Sequence, residues 1–122
     1  MPFSYQMADL PHLDTPESFQ EAVRQGTVFL IDAYADWCGP CKQMVPYFDA
    51  AAAKLAPHGV ACYKLNTDTA QELASALNVT SLPSFVLVEH GFVRDVVIGA
   101  NRVKLEQMAD TALAMMAHHA SL

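Results

Sequence analysis

The stretch Val28-Phe29-Leu30-Ile31-Asp32-Ala33-Tyr34, followed two residues later by Trp37-Cys38-Gly39-Pro40-Cys41, decides the fold. An apolar run broken only by Asp32 reads as a strand buried on both faces. From Pro40 to Leu55 the spacing turns helical, with Met44, Val45, Phe48, Ala51, Ala52 and Leu55 on one face and Lys42, Asp49 and Lys54 outside. Pro46 lies inside that helix and is expected to kink it. Cys38 and Cys41 thus stand at a helix start, three residues apart on one face, with Cβ atoms about 5–6 Å apart and within reach of a disulfide. So small a loop stabilises by at most about 2 kcal/mol, which makes chemistry the better reason for the pair.

The helix terminus directs that chemistry. Unpaired N–H groups and the positive end of the dipole favour a Cys38 thiolate, the nucleophile of disulfide exchange. Pro40 suits the first turn, and Gly39 leaves the Cys38 sulfur open to a partner chain. Cys41, one turn further in, is expected to be more shielded and to keep its proton until needed. One cysteine attacks and the other resolves.

Upstream, residues 1–5 lack periodicity and read as a frayed end, and Gln6–His12 is a weak edge strand because of Pro11. Thr15 caps a helix with Pro16 at its first position, Phe19, Ala22 and Val23 form its apolar face, and Gly26 ends it. Downstream, Pro57-His58-Gly59 breaks the active-site helix before a strand from Val60 to Asn66, read as central. Thr69-Ala70-Gln71-Glu72 has the form of a capping box, opening a helix with Ala70, Leu73, Ala74 and Leu77 inward. A strand from Phe85 to Glu89 turns at His90-Gly91 into a partner from Phe92 to Ile98, and Gly99 ends it. Asn101 caps a last helix with an apolar stripe from Leu105 to Met116, and residues 118–122 read as a second frayed end. The alternation gives a mixed α/β sheet with helices on both faces, in a single domain over 1–122.

The chain has 122 residues, 52% of them apolar, enough for a core without metal or disulfide staples. A net charge of −6 argues against nucleic acid or an anionic membrane as partner, and no apolar run is long enough to span a bilayer. Residues 1–23 hold no Lys or Arg, which argues against a secretory or mitochondrial leader and makes the cytoplasm the expected compartment. Cys62, in Val60-Ala61-Cys62-Tyr63-Lys64-Leu65, reads as an inert core thiol. Zinc needs four ligands; Cys38 and Cys41 supply two, and His12, His58, His90, His118 and His119 show no ligand spacing, so no metal site is expected. A Cys–His hydrolase is weaker still, since nothing places a histidine near Cys38.

With its surroundings, WCGPC resembles the active site of the thioredoxins, and the resemblance runs from about Thr15 to Met116. Asp32 falls where that family has a buried acid, Lys64 where it has the neighbouring lysine, and Leu82-Pro83 where it has a cis-proline segment facing the cysteines. Gly91, Gly99 and Pro46 match further positions. The resemblance implies a thioredoxin fold, with a five-stranded sheet in the order 1-3-2-4-5 flanked by four helices. It implies a protein-disulfide reductase with Cys38 as nucleophile, Cys41 as resolving thiol and Asp32 as acceptor of the Cys41 proton. Lys64 either stabilises the ionised Asp32 or holds the Cys38 thiolate. Trp37, Gly39, Pro40, Leu82, Pro83, Gly99 and Ala100 are the implied substrate-binding positions. No bound cofactor is implied, only the Cys38–Cys41 redox pair. The implied partners are an NADPH-dependent thioredoxin reductase and disulfide-bearing targets such as peroxiredoxins, methionine sulfoxide reductase and ribonucleotide reductase. Tyr34, Ala33 and Ser84 depart from the family's usual Trp, Phe and Thr and bear on substrate preference. The rival class is a binding module with the same fold, against which the retention of both cysteines, Asp32 and Pro83 weighs.

Overall fold

The computed structural model describes residues 10–121. Its elements follow the expected order: α1 (Pro16–Gln25), β1 (Val28–Tyr34), α2 (Gly39–Leu55), a 3-10 turn (Ala56–His58), β2 (Ala61–Asn66), α3 (Gln71–Ala76), β3 (Ser84–Glu89), β4 (Phe92–Ile98) and α4 (Arg102–Ala120). Among the described residues the sheet has four strands, in the order β2-β1-β3-β4, with β1 parallel to β2 and antiparallel to β3.

Of the expected fifth strand, Gln6–His12, residues 6–9 lie outside the described residues, and the described part carries one parallel bridge, from His12 to Lys64. The Lys64 N–H donates to the Pro11 carbonyl and the Leu13 N–H to the Lys64 carbonyl, both at 2.9 Å. Pro11 has no N–H to extend that ladder. The bridge falls on the outer side of β2, where the expected order places its first strand, and the order of the four described strands is the expected one.

Alternation along β1 sends successive side chains to opposite faces. Val28 and Leu30 meet Phe48, Leu55, Leu105 and Met108 of α2 and α4, while Phe29 and Ile31 meet Phe19 of α1 and Leu73 of α3. All of β1 up to Ala33 is buried, as a central strand covered on both sides must be. Asp32 therefore belongs to the face covered by α2, beneath the cysteines.

Three local details differ from expectation. The Thr69 capping box does not form: α3 starts at Gln71 with Ala70 as its cap, and no side chain caps it. Asn66 organises this turn instead, accepting the Ala70 N–H on its carbonyl at 2.9 Å and the Asp68 N–H on Oδ1 at 3.0 Å, while the Thr69 hydroxyl turns back to the Asn66 carbonyl. Val45 is 37% exposed rather than core. Residues 118–120 continue α4 instead of fraying, since Ser121 closes it with its N–H on Ala117 and its hydroxyl on His118. Residues 1–5 lie outside the described residues. The Thr15 and Asn101 caps form as read, Thr15 accepting the Ser18 N–H and Asn101 the Lys104 N–H, each at 3.0 Å. No helix among the described residues is long and apolar enough to cross a membrane.

Candidate active site

Cys38 is the N-cap of α2, and Cys38 and Cys41 are joined as a disulfide with Cα atoms 5.3 Å apart. The Cys38 sulfur accepts the Cys41 N–H at 3.2 Å, so an unpaired donor of the first turn is aimed at the very atom that carries charge in the reduced form. The expected contrast in exposure between the two cysteines is not present: Cys38 is 5% exposed and Cys41 3%. Both are enclosed by Ala35, with Tyr34 and Leu82 at the rim. The two differ instead in the spaces they border. Cys38 lines an open apolar groove of about 690 Å³, and Cys41 a smaller cavity of about 270 Å³.

The groove gathers Trp37, Gly39, Pro40 and Leu82 of the implied substrate positions. Trp37 is 70% exposed and held by its indole N–H, which donates to Asp68 Oδ2 at 2.9 Å. A Cβ added at Gly39 would meet nothing within 4 Å beyond its chain neighbours and its own helix turn, which leaves the space to a visitor. The Leu82–Pro83 peptide is cis, as the resemblance implies. Pro83 is buried and its carbonyl accepts the Gly99 N–H at 2.8 Å. No backbone hydrogen bond among the described residues uses the Leu82 N–H or carbonyl, which leaves both to an extended partner. Pro83, Gly99 and Ala100 do not line the groove; Gly99, at φ +93°, turns the chain from β4 to α4 behind it.

The groove's far wall was missed in the sequence: Thr67, Val79, Thr80 and Ser81. Asp68, the anchor of Trp37, was missed too. These residues come from two loops with no motif of their own. Only the proximity of Thr80 and Ser81 to Leu82-Pro83 offered a signal.

Beneath the cysteines, Asp32 is 1% exposed and paired in register with Lys64 on β2. Lys64 Nζ donates to Asp32 Oδ2 at 2.7 Å, and the other oxygen, Oδ1, is buried without a partner among the described residues. Burial pushes the Asp32 carboxyl above its ordinary range, against the opposing charge of Lys64. Of the two roles left open for Lys64, its contact is with Asp32. Its ammonium also lies over the Tyr34 ring, 4.9 Å from the centroid. The smaller cavity is lined by both Cys41 and Lys64, while Asp32 itself does not line it.

Cys62 is buried, and loss of solvent pushes its thiol up to about 12. In the reduced, folded protein, iodoacetamide near neutral pH is expected to label Cys38 well ahead of Cys62, with Cys62 labelled only on unfolding. Peptide mapping reads this directly, and equal rates would remove the helix-terminus argument.

The family description Thioredoxin matches residues 11–111. The chain belongs to the thioredoxin family. It is 37% identical over 89 residues to Thioredoxin H-type of Fagopyrum esculentum, covering 73% of this chain and 75% of that protein. It is 42% identical over 77 residues, 63% of this chain, to Thioredoxin-like protein 1 of Schizosaccharomyces pombe, of which it spans only 27% of the length. Among solved structures, the oxidised form of mitochondrial thioredoxin 3 from Saccharomyces cerevisiae superposes with a TM-score of 0.80 at 30% identity, covering 86% of this chain and 97% of that one. The α/β thioredoxin fold is thereby shown, with the four strands described above. A thioredoxin-family chain with this disulfide is a dithiol–disulfide oxidoreductase, a disulfide reductase recycled by a separate reductase.

The same geometry bears on metal ligation. Sequence spacing gave no reason to group the histidines, yet the β3–β4 turn and the end of α4 bring Glu89, His90 and His119 together, remote from the cysteines.

Proposed function

We propose that this chain, acting as one thioredoxin domain, reduces disulfides of extended protein segments through Cys38 and Cys41, with Asp32 as the proton acceptor. The observation that carries the reading is the placement of the disulfide: Cys38 caps α2 and opens onto the groove of Trp37 and Leu82. An extended target lies across Trp37, Pro40 and Leu82 and pairs with the free backbone of Leu82.

The Cys38 thiolate attacks one sulfur of the target disulfide, the target S–S bond breaks, and a mixed disulfide remains while the first target thiolate leaves and takes a proton. Cys41 then gives its proton to Asp32, directly or through a water, on the side where Cys41 and Lys64 line one cavity. The Cys41 thiolate attacks the Cys38 sulfur and expels the second target thiolate. Two electrons have passed to the target, and the chain is left in the disulfide form described here. Lys64 holds Asp32 in place and stabilises it when ionised. The redox pair is the whole of the cofactor requirement.

An NADPH-dependent thioredoxin reductase is the proposed electron source, and peroxiredoxins, methionine sulfoxide reductase and ribonucleotide reductase are proposed targets. A reducing compartment suits such a cycle, and the cytoplasm is the one proposed.

In an insulin-disulfide reduction assay with dithiothreitol as electron source, the wild-type protein is expected to accelerate precipitation of the insulin B chain. The Cys38→Ser protein is expected to leave the rate at that of the reductant alone. A wild-type protein that does not accelerate it is a binding module, and the reading fails.

A further inference from the structure

His90 opens the two-residue turn between β3 and β4. Its φ of +54° and that of Gly91, +83°, make a type I′ turn, and its N–H donates to the Thr27 carbonyl at 2.9 Å. The imidazole therefore hangs from a fixed backbone at the end of the sheet, directly after Glu89. From the other side, the last turn of α4 brings in His119, whose Nε2 lies 2.7 Å from Glu89 Oε2 and whose ring meets that of His90 edge to face at 4.8 Å. One donor atom from each of the three residues lies within 4.8 Å of the others. Around a zinc ion with bonds of about 2.0–2.2 Å, tetrahedral ligand atoms stand about 3.3–3.6 Å apart. The three side chains need shifts of about an ångström to meet that geometry. His90 is exposed and Glu89 and His119 are half-buried, so rotation of exposed or half-exposed side chains suffices.

We propose that Glu89, His90 and His119 form a binding site for a divalent transition-metal ion of the zinc class, with solvent completing the coordination. Two imidazoles and one carboxylate suit zinc, copper(II) or nickel(II), whereas magnesium and calcium call for oxygen donors throughout. Arg94 Nε donates to the other carboxylate oxygen, Glu89 Oε1, at 3.0 Å, which fixes the carboxylate and leaves Oε2 for the ion. The guanidinium repels a cation, so the affinity is modest. His118 is exposed, its ring 5.9 Å from that of His119, and it is not required. The site lies at the end of β3 opposite Ser84, about 17 Å along the strand. Occupancy there leaves Cys38 and Cys41 free to exchange, while the ion ties the hairpin turn to the end of α4.

The test is isothermal titration of zinc chloride into the oxidised full chain, in which Cys38 and Cys41 are already tied to each other. One zinc per chain is expected. His119→Ala and His90→Asn, the latter tolerant of positive φ, are each expected to weaken binding at least about tenfold. Far-UV circular dichroism should be unchanged in both, and His90→Asn, at an exposed turn, carries the test if His119→Ala unfolds. In the wild type, zinc is expected to move the imidazole NMR signals of His90 and His119 and leave those of His12 and His58 in place. No saturable zinc binding, or a loss below tenfold in either folded variant, overturns the proposal.

Discussion

A Cys41→Ser protein is expected to stop at the mixed disulfide. Cys38 keeps its place as the cap of α2 and its opening onto the groove, so the first exchange proceeds. No second sulfur then stands behind it to displace the target, and the adduct lasts as long as no outside thiol reaches it. Enclosure of Cys38 by Ala35, Tyr34 and Leu82 slows such a thiol. Turnover in the insulin assay should fall to the background of the reductant. Incubation with a cell extract should give adducts that survive a non-reducing gel, vanish on reduction and map to Cys38. Adducts through Cys41 in a Cys38→Ser protein, with none through Cys38 in the Cys41→Ser protein, would reverse the two roles.

Asp32→Ala is expected to move stability and rate in opposite directions. The native carboxyl is pushed up by burial, so the folded chain holds its proton to a higher pH than the unfolded chain, whose Asp titrates at about 3.9. Its contribution is whole below that unfolded value and is lost as the pH rises through the folded one. Above that window the native state holds a carboxylate charge taken out of water and only partly offset by Lys64, which costs about 1.4 kcal/mol for each pH unit between the two titrations. Removing the carboxylate relieves it. The Lys64 ammonium left behind is partly exposed and keeps the Tyr34 ring beneath it. The alanine protein should therefore be more stable than wild type at neutral and higher pH, the gain being trimmed by the small cavity that remains, and its advantage should vanish in acid. Resolution of the mixed disulfide should slow by about 10²–10⁴-fold, the range set by loss of a general base. Urea unfolding of both oxidised proteins across pH, with stopped-flow resolution kinetics, reads both effects. An alanine protein less stable at every pH would show that the Lys64 pair outweighs the loss of solvent at the carboxylate. An unchanged rate would take Asp32 out of the mechanism.

The sheet was legible wherever burial on both faces leaves a nearly continuous apolar run, as in Val28–Ala33 with its one acid and in Phe85–Val88, and wherever a cap or glycine marks an end, as at Thr15, Gly26 and Asn101. The Asp32–Lys64 contact was foreshadowed by family resemblance alone, because parallel register between β1 and β2 leaves no local trace in sequence. At Thr69 one local rule lost to another: Asn66, at the end of β2, claimed the turn first with bonds to residues two to four positions on. The groove wall at Thr67 and Val79–Ser81 and the meeting of His90 with His119 share one cause of invisibility. Each joins segments that the fold, rather than any spacing, makes neighbours.

The disulfide keeps company with Ala35, Tyr34 and Leu82, apart from the two larger apolar clusters on either side of the sheet. A change of oxidation state, or a different pair of residues at Gly39 and Pro40, falls on this small cluster first and not on the packing of Phe48, Phe85 and Leu105. The reacting end of the molecule can thus be altered in ancestry or in the laboratory without disturbing its foundation. One scaffold of this shape can serve donors and acceptors of quite different electron affinity by changes confined to a handful of positions.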